Sequence, residues 1–514
     1  MILKIQWLGS QLVNLHGHLP VLMNGKRFLP TILIVLLMLT SLVSLEELSN
    51  LEQKKIRYDT NVNQDIIADE IWIASNSPYY VTNDIVVNHG VTLTIEEGVL
   101  VSFDNNKELE VRGNLVVQGT AIDPVVFTSD SDWSGIDLFF DTSDYADIDY
   151  AEFHNATRAI QLSCCSGYNG QITIDNSHFE NNIYAISGYT GSWTYINNST
   201  FSFNQYGISN ADYIIRDSHF DNHTLAINQV ESTQIYDSVF ENNHIAISGR
   251  SGPLEGNTIS GSTIAVEEYN GGWTASGNTI FDNDLGLKLK YGNWQWNNFY
   301  NNLWNVNHTS TNDVDMPNNY WGTITNTDIE DKNYDIYDDC NRGKIYYAPY
   351  LSAIVSSLDD VNPQDGIPDS ASILTGSTIA GSTNTGLIFS DTTWTNDLQI
   401  TTCAVVARGV TLTIDSGVNV EVADNLMFDI RGSIDVQGTA MDPVVFSPLN
   451  YLEWDGIDLD FDMNSYADID YAEFHNATRA IQLSCCSGYN GQITIDNSHF
   501  ENNMYAISGY TGSW

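Results

Sequence analysis

The sequence predicts an all-β parallel solenoid, a chain wound into coils of short strands stacked along one axis. Three observations carry the prediction. A thirteen-residue phrase recurs eight times between Ile148 and Val306, starting at Ile148, Ile174, Ile196, Ile215, Ile235, Leu254, Ala275 and Trp294. The starts lie 26, 22, 19, 20, 19, 21 and 19 residues apart, which is the period of a solenoid coil and too short for a propeller blade. The phrases are rich in Asn, Ser, Gly and β-branched residues, which disfavour helix interiors. Their apolar places fall in strand-length runs between Asn-rich and Gly-rich turns.

The phrase reads I-x-x-S-x-F-x-N-N-x-x-A-I, and each place predicts a structural role. The sixth holds Phe153, Phe179, Phe201, Phe220, Phe240, Ile259, Ile280 and Phe299, and the last holds Ile160, Ile186, Ile208, Ile227, Ile247, Val266, Leu287 and Val306. Coils stacked in parallel at a strand spacing of about 4.8 Å put each Phe over the one before it, so an apolar column is expected. The fourth place (Ser177, Ser199, Ser218, Ser238, Asn257, Asn278, Asn297) should form a polar ladder. Asn at the eighth or ninth place (Asn181, Asn182, Asn222, Asn242, Asn243, Asn283, Asn301, Asn302) suits a turn, where the side chain bonds backbone groups and left-handed φ is tolerated.

With its flanks, the phrase resembles the repeats of secreted right-handed parallel β-helix proteins of the pectin-lyase-like superfamily. Gly90 to Phe103 (GVTLTIEEGVLVSF), Leu115 to Ser129 (LVVQGTAIDPVVFTS) and Trp133 to Ile136 (WSGI) resemble the opening coils of that group. Asn318 to Thr323 (NNYWGT) with Ile336 to Leu351 resembles the segment that closes such a helix. The resemblance implies a right-handed coil. It is weak for activity, because this fold hosts lyases, hydrolases, adhesins and modules without known chemistry.

The second half restarts the module. Val436 to Phe446 repeats Val117 to Phe127, and Trp454 to Leu459 (WDGIDL) repeats Trp133 to Leu138 (WSGIDL). Tyr466 to Trp514 matches Tyr145 to Trp193 at every position but Met504 for Ile183. Core and surface are equally identical there, which points to recent duplication or a break in sequence assembly and not to shared packing needs. The expected organisation is an N-terminal signal peptide or anchor over 1–50, a first module over 66–351, a polar linker over 352–389 and a truncated second module over 390–514.

Lys26 and Arg27 precede an apolar stretch from Phe28 to Leu45, the order of an export signal, with a single membrane anchor as the alternative. Met23 stands three residues before Lys26, so residues 1–22 read as upstream of the true start. An extracellular or cell-surface location follows, and any membrane contact is expected through this segment alone. The 514-residue chain has 19 Lys and Arg against 65 Asp and Glu, a formal net charge of −46. That field argues against nucleic acid, anionic membrane and polyanionic ligands, although salt screens exposed charges beyond about 8 Å. The six cysteines (Cys164, Cys165, Cys340, Cys403, Cys485, Cys486) leave pairing open and lack the spacing of a zinc site.

Catalytic signals are thin. A hydrolase on this fold would need converging carboxylates, and Asn326 to Asp328 with Asp338 and Asp339 echo such motifs only faintly. A lyase would need calcium and a basic residue. Basic residues are few in the coils (Arg158, Arg216, Arg250, Lys288, Lys290), and the histidines (His154, His178, His219, His223, His244) are expected in solvent. The stronger signal is aromatic. Tyr189 and Trp193, Tyr269 and Trp273, and Tyr291 and Trp294 each follow the last apolar place of a phrase, which puts them on one side of the solenoid. Trp193 and Trp273 would be about 19 Å apart, four strand spacings. Such a strip could stack on the rings of neutral glycans, or each Trp could pack back into its own turn. Asp365 and Asp369 in the linker resemble part of a calcium repeat, and two side-chain oxygens would bind calcium only weakly. No other cofactor is expected. The preferred function is a binding or structural module, with a polysaccharide lyase or glycoside hydrolase as the alternative.

Overall fold

Each repeat folds as one coil of three strands joined by two tight corners. The coil that starts the second phrase runs through Ile172–Asp175, turns at Asn176, continues through His178–Glu180, turns at Asn181 and leaves along Tyr184–Gly188. Both corners are left-handed, at φ 50° and 58°. In a computed structural model, the structure describes residues 59–514 apart from 141–143, 164–170, 189–193, 211, 270, 340, 356–372, 375–386, 402–403, 451, 461–463, 485–491 and 510–514.

Stacking the coils makes three parallel sheets. The first sheet has twelve strands running from Thr60–Val62 to Asn298–Tyr300. The second also has twelve, from Ile85–Val87 to Asn333–Tyr334, and the third has eleven, from Glu70–Trp72 to Asn293–Trp294. A second stack of six, five and five strands begins at Leu387–Ile388. Every strand in these sheets pairs with the strand one coil before or after it, so the expected all-β parallel solenoid is what the chain forms.

The phenylalanine column exists as expected. The rings of Phe127, Phe153, Phe179, Phe201, Phe220 and Phe240 stack at 4.5–4.8 Å between centroids and within 7° of parallel. All six are buried, so each coil is glued to its neighbours by apolar burial and dispersion along an unbroken core. The polar ladder beside it is complete. The backbone N–H groups of Ala151, Ser177, Ser199, Ser218, Ser238, Asn257, Asn278 and Asn297 each donate to the side-chain oxygen one coil on, at 2.9–3.2 Å. A buried corner thereby satisfies donors that no strand partner reaches.

The two Asn places differ in role. The eighth place is the left-handed corner in all eight phrases: Asn155, Asn181, Phe203, Asn222, Asn242, Gly261, Asp282 and Asn301, with φ between 54° and 64°. The ninth is a second buried ladder, in which Asn182, Asn204, Asn243, Asn283 and Asn302 accept a backbone N–H from the coil before. His223 takes this place in its coil. It is buried, contrary to the expectation that it faces solvent, because the ninth-place side chain points into the stack.

Candidate functional site

The aromatic turns split on folding. Tyr269 and Tyr291 stay exposed, at 53% and 52%, whereas Trp273 and Trp294 are both at 0%. The two tryptophans are therefore removed from the proposed strip. Trp294 stands at the first place of its phrase and in register with Ala275, so the coil geometry points it into the core. Trp273 fills room left by Gly249 one coil earlier, where an added Cβ would lie 2.6 Å from the indole Cζ2. Tyr189, Trp193, Asp365 and Asp369 lie outside the described residues, as do all six cysteines and the apolar segment 28–45.

Glu268 organises the turn that carries Tyr291. Its Oε2 accepts the backbone N–H groups of Lys290, Tyr291 and Gly292 at 2.7, 2.8 and 3.1 Å. Its Oε1 accepts the Trp273 N–H at 3.2 Å and the Trp294 indole N–H at 2.9 Å. A buried carboxylate with five donors is a structural clamp, with no lone pair left for a ligand.

Chemistry concentrates instead on the outer face of the second sheet. In an alternating strand, the residue between two core positions points outward, and in Gly135–Leu138 that residue is Asp137. Asp137 lies in register with Glu110 on one side and Gln161 on the other. Together with Glu108, Ser134, Thr157, Arg158 and Ser163 it lines a polar groove of about 290 Å3. Burial raises the Asp137 carboxyl and the Glu110 charge adds to this, while Ser163 and Arg158 oppose it. Burial, then the charge of Asp137, raises Glu108 likewise. One Asp137 oxygen is buried with no hydrogen-bond partner.

Beside this groove runs an outward ladder of larger side chains. Arg158 pairs in register with Tyr184, Tyr184 with Tyr206 and Tyr206 with Leu225, and the ladder continues through Ile245, Ile264 and Leu285 to Trp304. The rings of Tyr184 and Tyr206 stack at 4.6 Å, and the Arg158 guanidinium lies over Tyr184 at 5.7 Å. Polar groups that bond hydroxyls thus stand next to flat faces that can cover a sugar ring. The sequence held a signal for this groove, since an Asp sits between core Ile and Leu in both W-x-G-I-D-L segments. Neither the pairing with Glu110 nor the approach of Arg158 can be read from spacing alone.

The other candidates resolve as supports. Asp338 accepts the backbone N–H of Asp335 and Asp339 accepts that of Asn341, so these acids brace the closing segment, as does Asp335, which accepts the N–H groups of Tyr337 and Ile345. Asn326 and Asp328 lie on its short helix, Asn326–Glu330. Behind them a cavity of about 60 Å3 is lined by Glu330, Tyr337, Lys344 and Tyr347, and burial pushes Glu330 up to about 8. His154 sits between Glu152 at 3.3 Å and Glu180 at 3.5 Å on the outer face of the first sheet. Among the described residues no group of three or more His, Cys, Asp or Glu is placed to hold a metal ion.

Comparison with known proteins agrees with the architecture. Residues 65–214 match the family model described as a pectate-lyase like beta helix domain. That stretch is similar to pectate-lyase-like β-helix domains, and the described chain is built of stacked parallel β coils. A stretch of 74 residues is 38% identical to Protein bark beetle of Drosophila melanogaster; it covers 14% of this chain and only 2% of that much longer protein. Among solved structures, two forms of the PL6 family alginate lyase AlyGC align over 81% and 83% of this chain and 78% and 76% of theirs. Their identities are 8% and 10% and their TM-scores 0.28 and 0.24, too low to bear on activity or substrate. Among the described residues no helix is long and apolar enough to cross a membrane.

Proposed function

We propose that this chain is an extracellular β-helix protein that binds neutral polysaccharide on the outer face of its second sheet, as a recognition module. The observation that carries this reading is the groove at Asp137. Glu108, Asp137, Arg158, Gln161 and Ser163 converge there next to the stacked rings of Tyr184 and Tyr206. Carboxylate, amide, hydroxyl and guanidinium groups bond sugar hydroxyls in either direction, and the tyrosine faces cover apolar ring edges. The unpartnered Asp137 oxygen offers an acceptor to a ligand hydroxyl. A net charge of −46 favours neutral over uronate-rich chains. Tyr269 and Tyr291, at the ends of second-sheet strands, extend the contact surface.

Retention of the full chain on immobilised neutral polysaccharides, by affinity electrophoresis, tests the reading. Asp137→Asn together with Tyr184→Ala should abolish retention, and unchanged mobility would sink the assignment. One observation favours a catalytic alternative, namely a raised Asp137 in register with Glu110, two carboxyls on neighbouring strands. New reducing ends or unsaturated products after incubation would establish that alternative in place of pure binding.

A further inference from the structure

Among the described residues four aromatics stand at left-handed corners, and one differs from the rest. Tyr150, Trp296 and Tyr471, at φ 48°, 63° and 48°, are half-buried, so neighbouring coils help to hold their side chains. Phe203, at φ 54°, is 55% exposed, and its ring meets no other ring among the described residues. The same place in the other coils holds Asn, Asp or Gly, residues that accept this backbone. Strain kept without a return in packing marks a side chain that serves a ligand.

Phe203 lies at the rim of the second sheet, three residues before Tyr206. One coil earlier, Ile183 is 39% exposed, and its carbonyl accepts the Tyr206 N–H at 2.8 Å. The coil before that supplies Thr157 and Arg158, which line the Asp137 groove; the Thr157 carbonyl accepts the Tyr184 N–H at 3.0 Å. Ile183, Tyr184, Phe203 and Tyr206 therefore form a shelf that begins where the groove ends. The strands of Asp137 and Tyr206 are three coil spacings apart, about 14 Å along the axis. The shelf carries no charge, so it suits the C–H faces of sugar rings and not an ionic ligand. Four side chains are also too few for a stable protein interface, which engages about 20 residues a side.

We infer that Phe203 sets the specificity of this face for chain length. With Ile183 it forms the far subsite for a neutral oligosaccharide whose other end lies in the Asp137 groove. A ligand short enough to fill the groove alone gains nothing from Phe203, whereas one that crosses Tyr184 and Tyr206 places its last ring there. The inference rests on reading the Asp137 groove as a glycan site.

Titration calorimetry of the full chain with length series of cello-, xylo- and manno-oligosaccharides tests it. Phe203→Asn should weaken binding of the longest oligomers about tenfold, the loss typical of an anchoring aromatic, and leave the disaccharides within about twofold. Phe203→Tyr, which keeps a ring at the corner, should restore the long-oligomer affinity. Phe203→Asn should also raise the unfolding midpoint, a change opposite in sign to the loss of binding that a purely structural role does not produce. Long-oligomer binding that is lost with Asp137→Asn but unchanged with Phe203→Asn overturns the far subsite alone. Absence of any binding sensitive to Asp137→Asn overturns the glycan reading together with it.

Discussion

The Glu268 carboxylate lies 2.9 Å from the indole nitrogen of Trp294 and also accepts four backbone N–H groups, three of them from residues 290–292. One side chain thus fixes the path of a whole turn and the burial of its tryptophan. Glu268→Gln keeps the shape but turns one oxygen into a donor facing donors. The change should cost about 3 kcal/mol, the range for a broken buried charge-assisted network. Denaturant unfolding followed by tryptophan fluorescence measures it, and a loss below about 1 kcal/mol would show that the carboxylate does not hold the turn.

Phe203 occupies a left-handed corner at φ 54° with its ring 55% exposed, at a place where sibling coils use Asn, Asp or Gly. A bulky residue there bears a strain of about 1–2 kcal/mol that Asn largely escapes. Phe203→Asn should therefore raise stability by about 1 kcal/mol, seen as a higher unfolding midpoint. A lower midpoint would mean that the ring makes contacts worth more than the strain.

The parts of the fold legible in the sequence are those that repeat in register. The Phe column and the fourth-place ladder were readable because stacking at one fixed spacing turns sequence periodicity directly into contact. The burial of Trp294 was readable on the same grounds, since it stands where Ile174 and Ile196 stand. The burial of Trp273 was not readable, because it depends on the absence of a side chain at Gly249 in another coil. The Asp137 groove was half legible. An Asp between Ile and Leu announces an outward carboxylate, but only the folded sheet brings Arg158 and Gln161 beside it.

Burial of the two tryptophans gives a discriminating test of where glycans bind. Trp273→Phe and Trp294→Phe should leave polysaccharide retention within about twofold of the unaltered chain while lowering stability, because both rings are core. Tyr184→Ala should lower retention at least fivefold with little loss of fold, since that ring is half-exposed on the sheet. Loss of retention in the phenylalanine variants at unchanged stability would return the site to the turns.

His223 makes the fold sensitive to acid. Its Nε2 lies 3.2 Å from the Asn204 amide nitrogen, and its Nδ1 lies 3.0 Å from the Asn243 oxygen. The Asn204 amide donates and Nε2 accepts, so the ring is neutral with its proton on Nδ1. Burial lowers its pKa from 6.5 to about 4, outweighing the hydrogen bond to Asn243. The unfolded chain therefore binds a proton that the folded chain refuses. The contribution is fully present above pH 6.5 and is lost as pH falls toward 4, amounting to about 3 kcal/mol. His223→Asn restores the ladder residue of the neighbouring coils and should flatten the pH dependence between 4 and 6.5 by about that amount. Parallel stability curves for the two chains over that range would show that His223 is not the titrating group.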